Sequence, residues 1–264
     1  MQLISLHSQH GVQWCDWPAQ DALSGVVGTI GEPDFGATAL AELNRWMPLA
    51  WWSVYTLFEN APPVLHAHGI YGGVPDGTLE SWRVYRASLY RRDATFVQAR
   101  ELAATGSSGL VHWDANEIPP EHRSAIYSRH DLRERLSIVA RTERQGLLAI
   151  NLYRHLAQPA LSADAIDAVG QMARPLMACV NRHLTLRARQ TVGSTLLGEL
   201  TSREKEVCER LLKGWTQDGI AADLGLTPAT VKTYRDRAFR RLGIRYRHEL
   251  FALVARQDGP ADMA

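Results

Sequence analysis

Cysteine is scarce in this chain: Cys15, Cys179 and Cys208 stand far apart in 264 residues, with no close pair. That spacing excludes a disulfide framework and a zinc knuckle, and it fits three buried thiols in a reducing cytoplasm. Long apolar runs are missing too. No stretch approaches the ~20 residues that a membrane-spanning helix requires, and Met1 to Cys15 lacks the cationic start and unbroken apolar run of a secretory leader. A Gly-rich phosphate loop, an HExxH pair and a Gly-x-Ser-x-Gly elbow are likewise absent. The expectation is a cytoplasmic protein with no membrane partner, no catalytic residues, no cofactor and no metal. His66 and His68 alternate along an apolar stretch, but no third metal ligand is visible by spacing.

What remains is ordinary globular material. Apolar residues make up 45% and charged residues 22% of the chain, enough for a packed core. At ~100–200 residues per domain the length accommodates two domains. The net charge of +1 conceals an asymmetry. Thr201 to Arg256 holds 12 Lys/Arg against 7 Asp/Glu, while the rest of the chain holds 17 against 21. A basic module beside a neutral-to-acidic domain is the electrostatic pattern of a nucleic-acid binder.

The basic segment is punctuated as four helices. Thr201 and Glu204 form a capping box, Val207, Cys208, Leu211 and Leu212 recur at helical spacing, and Gly214 stops the run. Thr216 caps a second helix with Ile220, Ala221 and Leu224 on its buried side, and Gly225 ends it. Pro228 then opens a third helix after a short turn, the spacing of a helix-turn-helix. At ~100° per residue, Val231, Tyr234, Ala238 and Leu242 face the core. The opposite side carries Ala229, Lys232, Thr233, Asp236 and Arg240, flanked by Thr230 and Arg237, with Thr227 at the start. Short polar and cationic groups near a helix start suit base edges in a major groove, and arginines further along suit phosphates.

These residues carry a resemblance. Leu200-Thr201-Ser202-Arg203-Glu204-Lys205-Glu206-Val207, Gly214, Ile220-Ala221, Leu224-Gly225-Leu226-Thr227, Thr230-Val231-Lys232-Thr233 and Leu242-Gly243-Ile244 resemble the DNA-binding domain of LuxR/FixJ-type bacterial regulators. The resemblance implies a sequence-specific transcription regulator that binds double-stranded DNA as a homodimer, and it admits RNA polymerase as a partner. Asp218-Gly219 replaces the usual acidic helix former, at a cost of ~1 kcal/mol in helix propensity. Tyr246 stands where a small polar cap is usual, and Asp236 where a basic or amide residue is more frequent. A phosphoacceptor receiver domain is not indicated, because no acidic pair follows an early apolar strand.

The first 190 residues read as α+β. Ala50 to Glu59 and Val64 to Tyr71 alternate as strands around Asn60-Ala61-Pro62-Pro63. Helices are expected over Thr78 to Arg92, Thr95 to Ala104 and Pro120 to Arg129, with a short strand at Leu110 to Trp113. Arg133 to Thr142 and Gly146 to His155 form a hairpin. Ser162 caps a long helix towards Arg189, with Ile166, Val169, Met172, Ala173, Leu176 and Val180 as its apolar stripe and Pro175 as a kink. The expected organisation is an antiparallel-sheet domain over 1–190, a linker over 191–198, an all-α helix-turn-helix domain over 199–257 and a disordered tail over 258–264.

The order of strands and helices resembles GAF/PAS-like and autoinducer-type sensor domains. Seven of the eight tryptophans precede residue 114, and the aromatics from Trp46 to Tyr90 either fill the core or line a pocket for a small apolar ligand. Trp82, Tyr85 and Asp93 resemble, in order, the Trp-Tyr-Asp set with which quorum-sensing relatives hold acyl-homoserine lactones. The spacing is shorter here, and Ala94 replaces the usual proline. Asp93 is therefore either a ligand acceptor or the cap of the helix near Thr95. Two readings of the first domain stand: a small-molecule sensor, or a ligand-independent interaction and dimerisation module. The dimer contact is expected on the stripe that includes Leu176 and on the last helix, at Phe251 and Val254.

Overall fold

The computed structural model describes residues 1–6, 17–104, 108–142, 146–198 and 200–255. It divides into two units, Met1–Leu184 and Thr185–Ala264. The first is built on β1 (Gln2–Leu6), β2 (Trp51–Leu57), β3 (Val64–Ile70), β4 (Ser108–Asp114), β5 (Leu132–Arg141) and β6 (Leu147–His155). The strands pair in the order β1-β4-β5-β6-β2-β3, each antiparallel to its neighbour. The α+β reading of the sequence is what the fold shows.

Side chains on successive strand residues point to opposite faces, and here both faces are covered. Leu136, Leu152 and Trp52 lie in one cross-strand row, and Ile138, Ile150 and Val54 in the next. These rows pack into one core with α1 (Trp17–Gly28), α2 (Phe35–Asn44) and the Ile166–Val180 stretch of α6 (Ala163–Gly198). The intervening rows, Arg135–Tyr153–Trp51 and Val139–Ala149–Tyr55, face the other way. Their core is closed by α3 (Thr78–Ala87), α4 (Val97–Ala104) and the helical stretch that begins at α5 (Pro120–His122) and runs through irregular turns to His130. Between them, Ser137 Oγ donates to Asn151 Oδ1 at 2.8 Å and Asn151 Nδ2 donates to the Ser53 carbonyl at 3.2 Å. A polar row is thus satisfied inside the sheet.

Helix α2 sits unusually close to β3. A methyl group at Gly36 would overlap the His68 carbonyl, and one at Gly69 would overlap the Gly36 carbonyl. The close approach lets Trp52 Nε1 donate to the Gly36 carbonyl at 2.6 Å. Phe35 stacks on His183 of α6, centroids 3.9 Å apart, and His183 Nδ1 accepts from the Gly31 amide at 3.1 Å.

Two expectations change. The segment 191–198, read as a linker, continues α6 without a break as far as Gly198. No proline follows Pro175 there, and one internal glycine costs a helix only ~1 kcal/mol. The apolar stripe of α6 is also consumed by its own sheet: Leu176 is 2% exposed and Val180 fully buried. The stripe faces the sheet, so a second copy of the chain cannot use it without unpacking the core. The tail 258–264 lies outside the described residues.

The second unit contains α7 (Ser202–Leu212), α8 (Gln217–Leu224), α9 (Pro228–Arg241) and α10 (Arg247–Ala255), packed around Val207, Cys208, Ile220, Val231 and Ala238. The first three begin at the hydroxyl caps read from the sequence, Thr201, Thr216 and Thr227. Burial of Leu176 predicts that Leu176→Ala costs ~2–5 kcal/mol, measurable as a shift of urea unfolding followed by tryptophan fluorescence. A cost below ~1 kcal/mol would mean that α6 is not part of the first core.

Candidate nucleic-acid interface and ligand cavity

Helix α9 is aimed by its caps. Gly225 ends α8 in the left-handed region, φ 64°, where its amide closes on the Ala221 carbonyl. Thr227 then caps α9, its Oγ1 accepting from the Thr230 amide at 3.2 Å, with Pro228 in the first turn. Gln217 Nε2 donates to the Pro228 carbonyl at 2.7 Å and ties the start of α9 to α8. Beneath them, Thr201 and Glu204 form the capping box of α7, and Arg241 Nη1 lies 3.3 Å from the Glu204 carboxylate. Burial pushes that carboxyl up, but the Thr201 hydrogen bonds and Arg241 outweigh burial and hold it below the usual range. The missing small cap at Tyr246 is replaced from within the helix: Glu249 Oε2 accepts from the Arg245 and Tyr246 amides at 2.5 and 2.9 Å.

With Val231, Ala238 and Phe239 buried, α9 turns its other side outward. Ala229, Lys232, Thr233, Asp236, Arg237 and Arg240 are all exposed on it, and Thr230 is half-buried beside Thr227. Two of these groups are less open than their exposure implies. Asp236 is gripped by Arg235 at 2.7 and 2.9 Å, which offsets its charge. Thr233 Oγ1 donates to the Ala229 carbonyl at 3.0 Å, leaving only its acceptor lone pairs outward. All three lysines of the chain, Lys205, Lys213 and Lys232, belong to this unit.

In the first unit, one cavity lies against the Arg135–Tyr153–Trp51 row of the sheet. It leaves about 40 Å³ to the centres of water-sized molecules. Trp82 and Tyr85, both on α3, line it, and Tyr55 brings a third ring within 5.7 Å of each. Asp93 does not line it but stands directly behind. Its Oδ2 accepts from the Tyr85 hydroxyl at 2.9 Å, and its Oδ1 accepts from the Thr95 amide and hydroxyl at 2.8 and 2.6 Å. The three residues singled out in the sequence therefore meet, with Asp93 as a cap whose carboxylate holds Tyr85 in place. Trp46 packs into the opposite core, and Tyr71 is 44% exposed.

Arg135 was not singled out from the sequence, and it is the most consequential residue here. It is 1% exposed, lies 4.5 Å from the centre of the Phe96 ring, and donates from Nη2 to Thr95 Oγ1 at 2.7 Å. Thr95 thus links the buried guanidinium to the Asp93 carboxylate. His122, also on the cavity wall, is held down to about 4, by burial first and then by Arg135, against the pull of Asp93. Its imidazole is neutral at pH 7. His66 and His68 are engaged by Thr56 at 2.8 Å and Thr78 at 3.0 Å. No group of three metal-ligating side chains occurs among the described residues.

Residues 198–254 match the model of the luxR family of bacterial regulatory proteins. The chain is also 40% identical, over 236 residues, to the probable transcriptional regulatory protein NarL of Mycobacterium tuberculosis, a match covering 89% of this chain and 85% of the relative. The chain belongs to the LuxR family of bacterial regulatory proteins. Another relative is the transcriptional regulatory protein UhpA of Escherichia coli, 32% identical over 112 residues, which span 38% of this chain and 57% of UhpA. Among solved structures, the VqsR LBD domain of Pseudomonas aeruginosa superposes with a TM-score of 0.47 at 13% identity, covering 63% of this chain and 96% of that domain. The LuxR-family protein described here is accordingly a transcriptional regulator with a DNA-binding helix-turn-helix, as the sequence pattern implied.

The low His122 pKa has a consequence for stability. Above about pH 6.5, its ordinary value, His122 is neutral in both states and costs nothing. As pH falls from there towards 4, the unfolded chain takes the proton first and stability declines, by up to about 3 kcal/mol. Replacing His122 with Phe removes this term, so the variant's melting temperature falls less than the parent's between pH 6.5 and 4. Parallel curves for the two proteins would show that His122 takes up its proton as readily in the fold as in the unfolded chain.

Proposed function

We propose that this LuxR-family regulator reads a specific DNA site through the exposed face of α9, acts as a dimer, and adjusts its DNA binding to a small molecule held in the first unit. The observation that carries the DNA reading is the outward row Ala229, Lys232, Thr233, Asp236 and Arg240, with Arg237 beside it, on a helix fixed by caps at Thr227 and Gly225. Lys232 is the cation best placed near the helix start, and among the described residues it has no ion-pair partner. Arg237 and Arg240 are the phosphate contacts, and Thr227 and Thr230 flank the entry to the groove.

Two-fold dimers of helix-turn-helix units place their recognition helices one DNA turn apart, ~34 Å, so the preferred site is a pair of related half-sites. Phe251 of α10, 39% exposed, is the apolar side chain offered for the dimer contact. For sensing, the supporting observation is the aromatic cavity with a buried cation in its wall, since ligand sites combine apolar walls with a few placed polar groups. A ligand acts on DNA binding only through its different affinity for two states of the protein.

Selection from randomised duplexes supplies the preferred site. Lys232→Ala then loses ~1–3 kcal/mol at that site and relaxes its preference, whereas Arg240→Ala weakens all duplexes alike and lowers the slope of log affinity against log salt by ~0.9. If Lys232→Ala binds preferred and random duplexes with the parent's affinities, α9 does not read bases through this face.

A further inference from the structure

We infer that the cavity of the first unit takes a compact organic carboxylate with a flat apolar body, its anionic end set against Arg135, Trp51, Ser81 and Tyr127. This inference deepens the sensing reading above and depends on it. It starts from hydrogen-bond accounting in the cavity wall. Arg135 Nε, Trp51 Nε1 and the Ser81 hydroxyl are all buried without a hydrogen-bond partner, the Tyr127 hydroxyl lies beside the Arg135 guanidinium, and all four residues line the same cavity. Buried polar groups are nearly always paired, and each orphan is costly. Three orphan donors around one void therefore mark a surface that is complete only when something else supplies acceptors.

The chemistry of that something follows from what the wall offers. Two of the four groups, the guanidinium and the indole N–H, can only donate, and the two hydroxyls donate as well. The one carboxylate close by, Asp93, is turned away from the void and already accepts from Tyr85 and twice from Thr95. Arg135 reaches it only through the Thr95 hydroxyl, and among the described residues no carboxylate lies within ion-pair distance of Arg135. A carboxylate ligand brings two oxygens with about four acceptor sites and no N–H of its own, and charge-assisted hydrogen bonds to guanidinium are roughly twice as strong as neutral ones. An amide ligand would instead bring an N–H for which the wall keeps no free carboxylate. The rest of the cavity sets the body of the ligand. Tyr55, Trp82, Tyr85 and Tyr153 present rings, which favour a flat apolar partner, and the small free volume limits its size.

The test uses the purified full chain and defined probes: benzoate and indole-3-acetate, their neutral amides benzamide and indole-3-acetamide, and N-octanoyl homoserine lactone. Binding is read by calorimetry and by thermal shift. At least one carboxylate is expected to bind about tenfold or more tightly than its amide, a difference that Arg135→Gln abolishes. Because Arg135→Gln risks the fold, Trp51→Phe and Ser81→Ala provide a second line. Each removes one orphan donor, so each weakens carboxylate binding several-fold while leaving the ligand-free melting temperature equal or higher. If the amides bind as well as the carboxylates, or the lactone binds and no carboxylate does, the inference is overturned and small-molecule sensing stands. If no probe binds and the chain purified from its native host carries no small molecule by mass spectrometry, the inference and the sensing reading fall together.

Discussion

Alternation along β5, β6 and β2 is the constraint on which the first unit depends. Because successive side chains leave a strand on opposite sides, residue 136 commits to the helical core and residue 135 to the cavity, and the register carries that choice across the sheet. Leu136, Leu152 and Trp52 follow one side, and Arg135, Tyr153 and Trp51 the other. A slip of one residue would exchange the two sets and bury a guanidinium among Ile166, Val169 and Leu176. The hydrogen bonds of Ser137, Asn151 and Ser53 lie in the row next to Arg135 and oppose such a slip. The cavity is thus a product of the same pairing that builds the core, and Arg135 keeps its charge where Thr95 and Phe96 receive it.

The second unit depends on a different device. Its helices are short, and α8 carries Gly219 in its first turn, so propensity alone does not hold them. Their ends are fixed instead by side chains reaching backbone amides at Thr201, Thr216, Thr227 and Glu249. Each such contact is worth roughly 0.5–2 kcal/mol, and together they determine which side of α9 faces out. Function in a helix-turn-helix lies in that orientation. In the proposed reading, the side chains that meet DNA are the ones the core does not take.

Much of this was legible in the sequence, and the gaps have physical causes. The hairpin of β5 and β6 announced itself by alternation, and the first three of the terminal helices by hydroxyl caps and glycine stops. Helix α1 was not read because its buried residues are small, Ala19, Ala22 and Val26, so its apolar periodicity is faint; in α2, Phe35, Ala39, Leu40 and Leu43 recur at helical spacing and were a signal left unused. Strand β1 is an edge of five residues whose apolar members, Leu3, Ile4 and Leu6, do not alternate. The continuation of α6 through 191–198 was masked by two glycines that read as a linker. Trp82 and Tyr85 were found through their order in the chain. Arg135 was missed because Arg133, Glu134 and Arg135 look like a solvated strand end. The available signal was that 135 shares a face with Val139 on a strand flanked on both sides, a polar residue on a face that must be buried.

The central claim is that the outward face of α9 is the surface that meets DNA. Photo-cross-linking tests it most directly, with a benzophenone amino acid placed singly at position 236 on α9 or at position 209 on α7, and duplex DNA offered to the full chain. The account predicts cross-linking to DNA from position 236 and little from position 209, with the yield falling as salt rises. Equal yields from the two positions, or a yield confined to α7, would contradict it.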